Sequence, residues 1–479
     1  MKTGSIIALT LSLSFLVRLI MALFFFSDAG DSNVYKLFAE NIYRGCGLSY
    51  SDPNSIVCDL TSGGYFPGYP AFISTIWHIF GMQDIWILVI QIIVHTIALF
   101  LLLRAISVFT SNKQILLAIG IIMAFSPLQF GWYRFLITEP LAISLAICFL
   151  SELIISIANK EIRIIPLAIV MSLSVFVRPD TILMFLCLIP ICFYVHKPKK
   201  AILKIFLVTF LCAIPISSWM LRNISIGDPL ISMEVDHTPD APGYIKWWKT
   251  WVTNEYQRAD IFFPLWPNCN FCYSKIKIHS SKYIDDNERV KASQLIYELR
   301  KFEGKPFPKE IDKQFHNLYL QKLNSQSFYE KVSIGFERAF YLILNPYSSW
   351  GLPIEITGVN KNEFSNAIRN RDTSSVYKAL NENAIPVLGK LIVFIYRVIL
   401  FLCVVWILYR LLTTKNTVER TYSKINILMI ASLLYFLTRL IFFIFFVGLE
   451  SRFLIEAIIF LEVSIAVWII NHQLIKSRI

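Results

Sequence analysis

Apolar residues along this chain gather into runs close to the thickness of a bilayer core, which a helix of about 20 residues spans. The runs cover approximately 5–26, 85–109, 114–131, 136–158, 162–177, 179–196, 201–221, 386–413, 424–448 and 452–472. They predict about ten transmembrane helices, and so an all-α polytopic membrane protein. Between 223 and 384 the pattern changes. Charges of both signs, frequent Pro and the tryptophans Trp247, Trp248, Trp251 and Trp266 predict a large extracytoplasmic domain, α-rich or mixed. Within it, 285–303 and 308–324 have the spacing of amphipathic helices. A shorter apolar stretch, Tyr69 to Phe80, is too short to span and is expected to lie in the interface or re-enter. The chain thus divides into an N-terminal transmembrane module, 1–222, with a first outer loop at 27–84, then the domain 223–384, then C-terminal transmembrane helices in 385–479.

Composition agrees with that class. The 479 residues are 56% hydrophobic and 16% charged, with a mean hydropathy of +0.57. Soluble domains carry about a quarter charged residues, so this surface needs another solvent. The formal net charge of +12 would suit nucleic acid if it were clustered, but it is dispersed into loops on one side. Arg104 and Lys113, Lys160 and Arg163, Lys197, Lys199 and Lys200, then Arg410, Lys415, Arg420 and Lys424, and finally Lys476 and Arg478 all fall together when the N-terminus is cytoplasmic. The opposite turns hold isolated arginines, Arg134, Arg178 and Arg452. The first run is too long for a signal-peptide core and no small-residue cleavage site follows it, so it is expected to be an uncleaved anchor. The segments 27–84 and 223–384 are then extracytoplasmic. The one Asn-x-Ser/Thr sequon, at Asn223, abuts a span where glycosylation is hindered, which favours a bacterial inner membrane.

The nine cysteines divide by compartment. Cys148, Cys187, Cys192, Cys212 and Cys403 lie in spans and read as small packing residues. Cys46 and Cys58 share the first outer loop, where an oxidising compartment allows a disulfide. Cys269-Asn270-Phe271-Cys272 is a lone C-x-x-C, better suited to a disulfide or free thiols than to zinc. His237, His279 and His316 stand at no recognised ligand spacing.

Charged groups at the outer ends of the spans are the informative chemistry, because burial there is costly. They are Asp28 and Asp31 after the first span, Glu139 at the start of the fourth, Arg178 at a break, Arg222 at the end of the seventh and Arg452 at the start of the tenth. Singly, each reads as an end cap or a snorkelling anchor. Together they suit a substrate with a lipid tail and a phosphate head, since arginine binds phosphate through paired donors and a carboxylate can take a proton from an attacking hydroxyl. Arg18, Arg397 and Arg439 lie inside spans and are expected to pair or pack within the bundle.

At these residues the chain resembles the GT-C glycosyltransferases that use polyprenyl-phosphate sugars. The nearest branches are the dolichyl-phosphate-mannose protein mannosyltransferases (glycosyltransferase family 39) and the aminoarabinose transferases of lipid A. The first outer loop has Asp31, then Tyr35, then the turn Arg44-Gly45-Cys46-Gly47. Pro67-Gly68-Tyr69-Pro70 and Phe80-Gly81 bracket the short apolar stretch. Thr138-Glu139-Pro140-Leu141, Val177-Arg178-Pro179-Asp180, Trp219 with Arg222-Asn223, and Ser451-Arg452-Phe453 follow in the family's order. Two departures are Tyr65-Phe66, where the family often has a basic residue, and Leu454-Ile455-Glu456, where it usually has a Pro.

The resemblance implies a membrane-embedded, inverting glycosyltransferase of the cell envelope. Asp31 would be the base, with Asp28 as rival, and Tyr35 and Tyr69 would flank it. Arg452, with Arg178 or Arg222, would hold the donor phosphate. Glu139, with Asp28, would orient the acceptor or a divalent cation, and no cofactor is otherwise implied. The partners are a polyprenyl-phosphate-linked sugar, the lipid bilayer and an acceptor (protein, lipid or glycan) that the sequence does not identify. The alternative is a polytopic transporter or flippase of lipid-linked or small polar substrates. That class is expected to show repeated halves with broken helices, and no such symmetry is visible.

Overall fold

The computed structural model describes residues 2–49, 58, 65–227, 241–265, 271–279, 281–345, 348–354, 372–413, 419–446 and 448–476. His237 and Cys269 lie outside these residues. Among them there is no strand, and the protein is an all-α polytopic membrane protein. In chain order the helices are α1 (Thr3–Phe24), α2 (Ser32–Tyr43), α3 (Gly68–Phe80), α4 (Asp84–Phe109), α5 (Lys113–Phe125), α6 (Glu139–Asn159), α7 (Ile164–Val177), α8 (Phe185–Val195) and α9 (Pro198–Ile226). Then come α10 (Pro242–Trp248), α11 (Glu255–Phe262), α12 (Asp286–Leu299), α13 (Lys309–Ser325), α14 (Phe328–Leu344), α15 (Thr373–Glu382), α16 (Ala384–Thr413), α17 (Glu419–Phe446) and α18 (Ile455–Lys476).

The ten apolar runs all become helical, and among the described residues seven helices are long and apolar enough by themselves to cross a membrane. Three shorter apolar helices, Lys113–Phe125, Ile164–Val177 and Pro179–Val195, account for the other three runs. Proline sets two of the helix ends. Ser126 precedes Pro127 and is extended (ψ 117°), so α5 ends at Phe125 rather than near 131. Arg178 precedes Pro179 and is extended too (φ −148°, ψ 114°), which ends α7 and starts a 3-10 turn, Pro179–Met184.

The bundle core is built where α1 packs on α4 and α5, α4 on α6, α7 on α9, and α17 on α8 and α18. Its apolar cluster runs from Ile6 to Trp468. A second cluster belongs to the segment after α9. There Trp247, Trp248, Trp251, Tyr244 and Phe315 are fully buried, with Tyr244 edge-on to Phe315 at 4.8 Å. Gly243 lets α10 approach α13, since a Cβ there would strike the Asp312 carbonyl, and the Tyr244 amide donates to the Asp312 carboxylate at 2.9 Å. Helices α12 and α13 occupy the stretches expected to be amphipathic, and α3 occupies the short apolar stretch between α2 and α4.

Candidate active site

Asp31 stands immediately before α2, and its carbonyl accepts the Tyr35 amide at 3.1 Å. The four-residue spacing puts both side chains on one helical face, and both line the same cavity. The turn after α2 needs glycine, because Gly45 and Gly47 have φ of 86° and 71°. Beyond it, Cys46 and Cys58 form a disulfide with Cα atoms 5.3 Å apart, as the shared loop suggested. Tyr69, on α3, is fully buried, accepts a hydrogen bond from Gln91 at 2.6 Å, and meets the Tyr35 ring edge-on at 5.1 Å. Burial pushes the Tyr35 phenol up, and the Asp31 and Glu139 carboxylates add to the effect, so Tyr35 stays a neutral hydrogen-bonding group.

The proline break at 178–179 turns Arg178 inward. Its guanidinium meets Glu139 at 3.0 Å, Asp180 at 3.3 Å and Glu456 at 3.5 Å. Glu139 opens α6, where the helix dipole favours a carboxylate, and it is 1% exposed. Arg452 comes from a 3-10 turn, Ser451–Leu454, just before α18. It meets Asp31 at 3.0 Å, Glu139 at 3.3 Å, and Glu450. Arg439 closes the set, paired with Asp180 and with Glu456 at 2.8 Å. Arg258, on α11, reaches Glu450 at 3.0 Å. Burial opposes the Glu450 charge, but Arg452 and Arg258 outweigh it and hold the carboxyl below its usual value.

These groups border a cavity of about 1110 Å³. Its membrane-side wall is apolar, with Val175, Ile182, Ile216, Phe442 and Phe446. Its far wall comes from the segment after α9, with Lys249, Glu255, Arg258, Asp260 and Lys275. Such a space takes a long apolar group at one side and a polar head at the other.

Of the expected site residues, Asp31, Tyr35, Arg178 and Arg452 line the cavity, and Glu139 lies just behind, tied to both arginines. Asp28 is elsewhere, half exposed and paired with Lys36 at 3.0 Å, which also holds Asp84 at 2.6 Å. Arg222 is not among the described lining residues. Its guanidinium lies 4.8 Å over the Trp219 ring and donates to Asn223 at 3.1 Å and to the Leu48 carbonyl at 3.3 Å. A divalent cation held by Glu139 and Asp28 does not fit this arrangement, because one Glu139 oxygen serves two arginines and Asp28 serves Lys36. Among the described residues no three His, Cys, Asp or Glu side chains gather as a metal site. His279 pairs with Asp260 at 2.6 Å, and Cys272 is disulfide-bonded.

Asp180, Arg258, Glu450 and Glu456 had no site role in the sequence, and Arg439 was expected to pair or pack within the bundle, as it does with Asp180 and Glu456. A signal did exist for two of them. Arg439 and Glu456 are ionisable residues inside apolar runs, where a charge requires a partner. Arg18 and Arg397 behave as bundle residues. Arg18 donates to the Ser14 hydroxyl and the Met123 carbonyl at 2.8 Å each, and Arg397 to the Leu342 and Asn345 carbonyls at 2.8 and 2.6 Å.

No family model and no curated protein matches the chain. Among solved structures it is similar to the crystal structure of ArnT from Cupriavidus metallidurans bound to undecaprenyl phosphate, at 11% identity and a TM-score of 0.38, over 97% of this chain and 78% of that one.

Proposed function

We propose that the protein is an inverting glycosyltransferase that moves a sugar from a polyprenyl-phosphate donor to an acceptor at the outer face of a bacterial inner membrane. The observation that carries this reading is a single cavity. It has an apolar wall from membrane helices, a carboxylate at Asp31, and arginines 178 and 452 beside it. A lipid tail takes the apolar wall, and the arginines take the phosphate through charge-assisted hydrogen bonds. The acceptor oxygen or nitrogen attacks the anomeric carbon from the face opposite the phosphate and loses its proton to Asp31. The bond from that carbon to the phosphate oxygen breaks, and its electron pair departs on polyprenyl phosphate, whose charge the guanidiniums balance.

Without substrate, Arg452 is shared by Asp31, Glu139 and Glu450. A phosphate that draws Arg452 toward itself releases Asp31 as a base, so the base is freed when the donor arrives. Asp28 is the weaker candidate because Lys36 holds it away from the lining. Arg222 is given no part in phosphate binding. The transporter reading lacks a supporting observation of this kind, since the charges that line the cavity cluster at one end of the spans and Arg18 and Arg397, inside them, are held by carbonyls.

The test is sugar transfer by the purified protein, from polyprenyl-phosphate-linked sugars to cell-envelope lipids, glycans and proteins, read by mass spectrometry. Asp31→Asn is expected to cut turnover between about 10² and 10⁴-fold, the usual worth of a general base, while donor binding is retained. Unchanged turnover in both Asp31→Asn and Asp28→Asn would remove the reading.

A further inference from the structure

Helix α14 presents a row of apolar side chains outward. Phe328 is 83% exposed, Tyr329 82%, Phe336 73% and Phe340 66%, and Val332 completes the row. Residues 328, 332, 336 and 340 recur every four positions, which keeps them on one side of the helix. The opposite side, with Ile334, Arg338 and Leu342, is buried and packs on α16 and α17. Aromatic residues contiguous over four turns are uncommon on a water-facing surface and mark an interaction site.

The level of α14 identifies what covers the row. Arg338 donates to the Ile444 carbonyl at 3.1 Å, and Ile444 lies two residues before the end of the apolar span in α17. A Cβ at Gly335 would sit 3.8 Å from the Ile444 side chain. The middle of α14 is therefore level with the end of a membrane helix, the same end that carries the cavity. The two spans on which α14 packs also present exposed apolar side chains, Ile441 and Phe445 of α17 and Leu388 and Ile392 of α16.

We propose that α14 lies in the outer lipid interface, with Phe328, Tyr329, Val332, Phe336 and Phe340 at the boundary between headgroups and acyl chains, where aromatic rings are favoured. The inference needs the multi-pass architecture and not the sugar-transfer reading. It has a consequence for the cavity, however. Arg338 also donates to the Val252 carbonyl at 2.8 Å and the Lys249 carbonyl at 2.5 Å, so the far wall bearing Lys249 hangs from a lipid-anchored helix.

A nitroxide attached at Phe336→Cys in the full chain, reconstituted into phosphatidylcholine and phosphatidylglycerol vesicles, tests it after subtraction of the parent protein's own label. The ratio of oxygen to nickel-chelate accessibility should match that at Ile441→Cys, on a lipid-facing span. It should exceed several-fold that at Tyr297→Cys, on the exposed side of α12. A ratio equal to that of Tyr297→Cys would place the row in water and overturn the proposal. A short distance between labels on two copies, with neither reagent reaching them, would overturn it in favour of a dimer contact.

Discussion

Arg452 is held between Asp31, Glu139 and Glu450, and what it loses on substitution depends on which neighbour is counted. Arg452→Ala is expected to weaken binding of the polyprenyl-phosphate donor by about tenfold or more, the equivalent of one charge-assisted hydrogen bond of about 1.5–3 kcal/mol. Donor affinity measured apart from turnover checks this. Glu456, with no exposure, compensates Arg439 and Arg178. Removing it leaves buried guanidiniums short of charge, so Glu456→Ala should destabilise the protein by about 3–5 kcal/mol. A lowered midpoint of thermal unfolding in detergent would register it. Glu450 supplies a pH dependence whose sign is determined. Its carboxyl is held below the usual 4.5 in the folded protein, so its contribution is present above that value and lost as the pH falls through the lower folded value. Glu450→Gln should therefore be destabilising at pH 7 and progressively less so below about 4.5, which thermal unfolding across that range can measure.

Two short features hold the elements that carry these residues. Gly68 lets α3 touch α7, because a Cβ there would lie 2.5 Å from the Phe176 carbonyl carbon, two residues before Arg178. Gly68→Ala forces the two helices apart at backbone level. The expected cost is about 1–3 kcal/mol of stability, together with a fall in turnover, since Arg178 is displaced with the end of α7. The disulfide between Cys46 and Cys58 closes the loop that follows the Asp31 helix. In the chain-entropy picture a loop of this size contributes about 3 kcal/mol. Cys46→Ser, or reduction of the parent, should lower the unfolding midpoint correspondingly.

For the molecule as a whole, the cavity lies at the end of the bundle whose turns carry few basic residues. In the proposed function that end is extracytoplasmic, the side the positive-inside rule expects for it. Cysteines introduced within 247–251 at Lys249 and Thr250, which are half-buried rather than enclosed like the tryptophans there, should be labelled by an impermeant thiol reagent on intact cells. Cysteines at 197–200 should be labelled only after lysis. The reverse pattern would invert the protein and place the cavity in the cytoplasm.

The sequence by itself determined the class, the apolar runs and the shared end of Asp31, Glu139, Arg178 and Arg452. Hydropathy, basic-loop bias and proline positions are local properties, and a lipid solvent leaves a backbone little choice beyond helix. The end of α7 was legible too, in Pro179, whereas the apolar run that continues to 131 hides the stop of α5 before Pro127. Only the tertiary structure decided which charges meet. Asp31 and Arg452 are 421 residues apart, and Asp180 meets Arg439 across 259. No periodicity encodes such pairings, because they depend on how α2, α7, α17 and α18 pack. The same packing put Asp28 on Lys36 and Arg222 over Trp219, and it brought Arg258 and Glu450 to a site that their own segments do not announce.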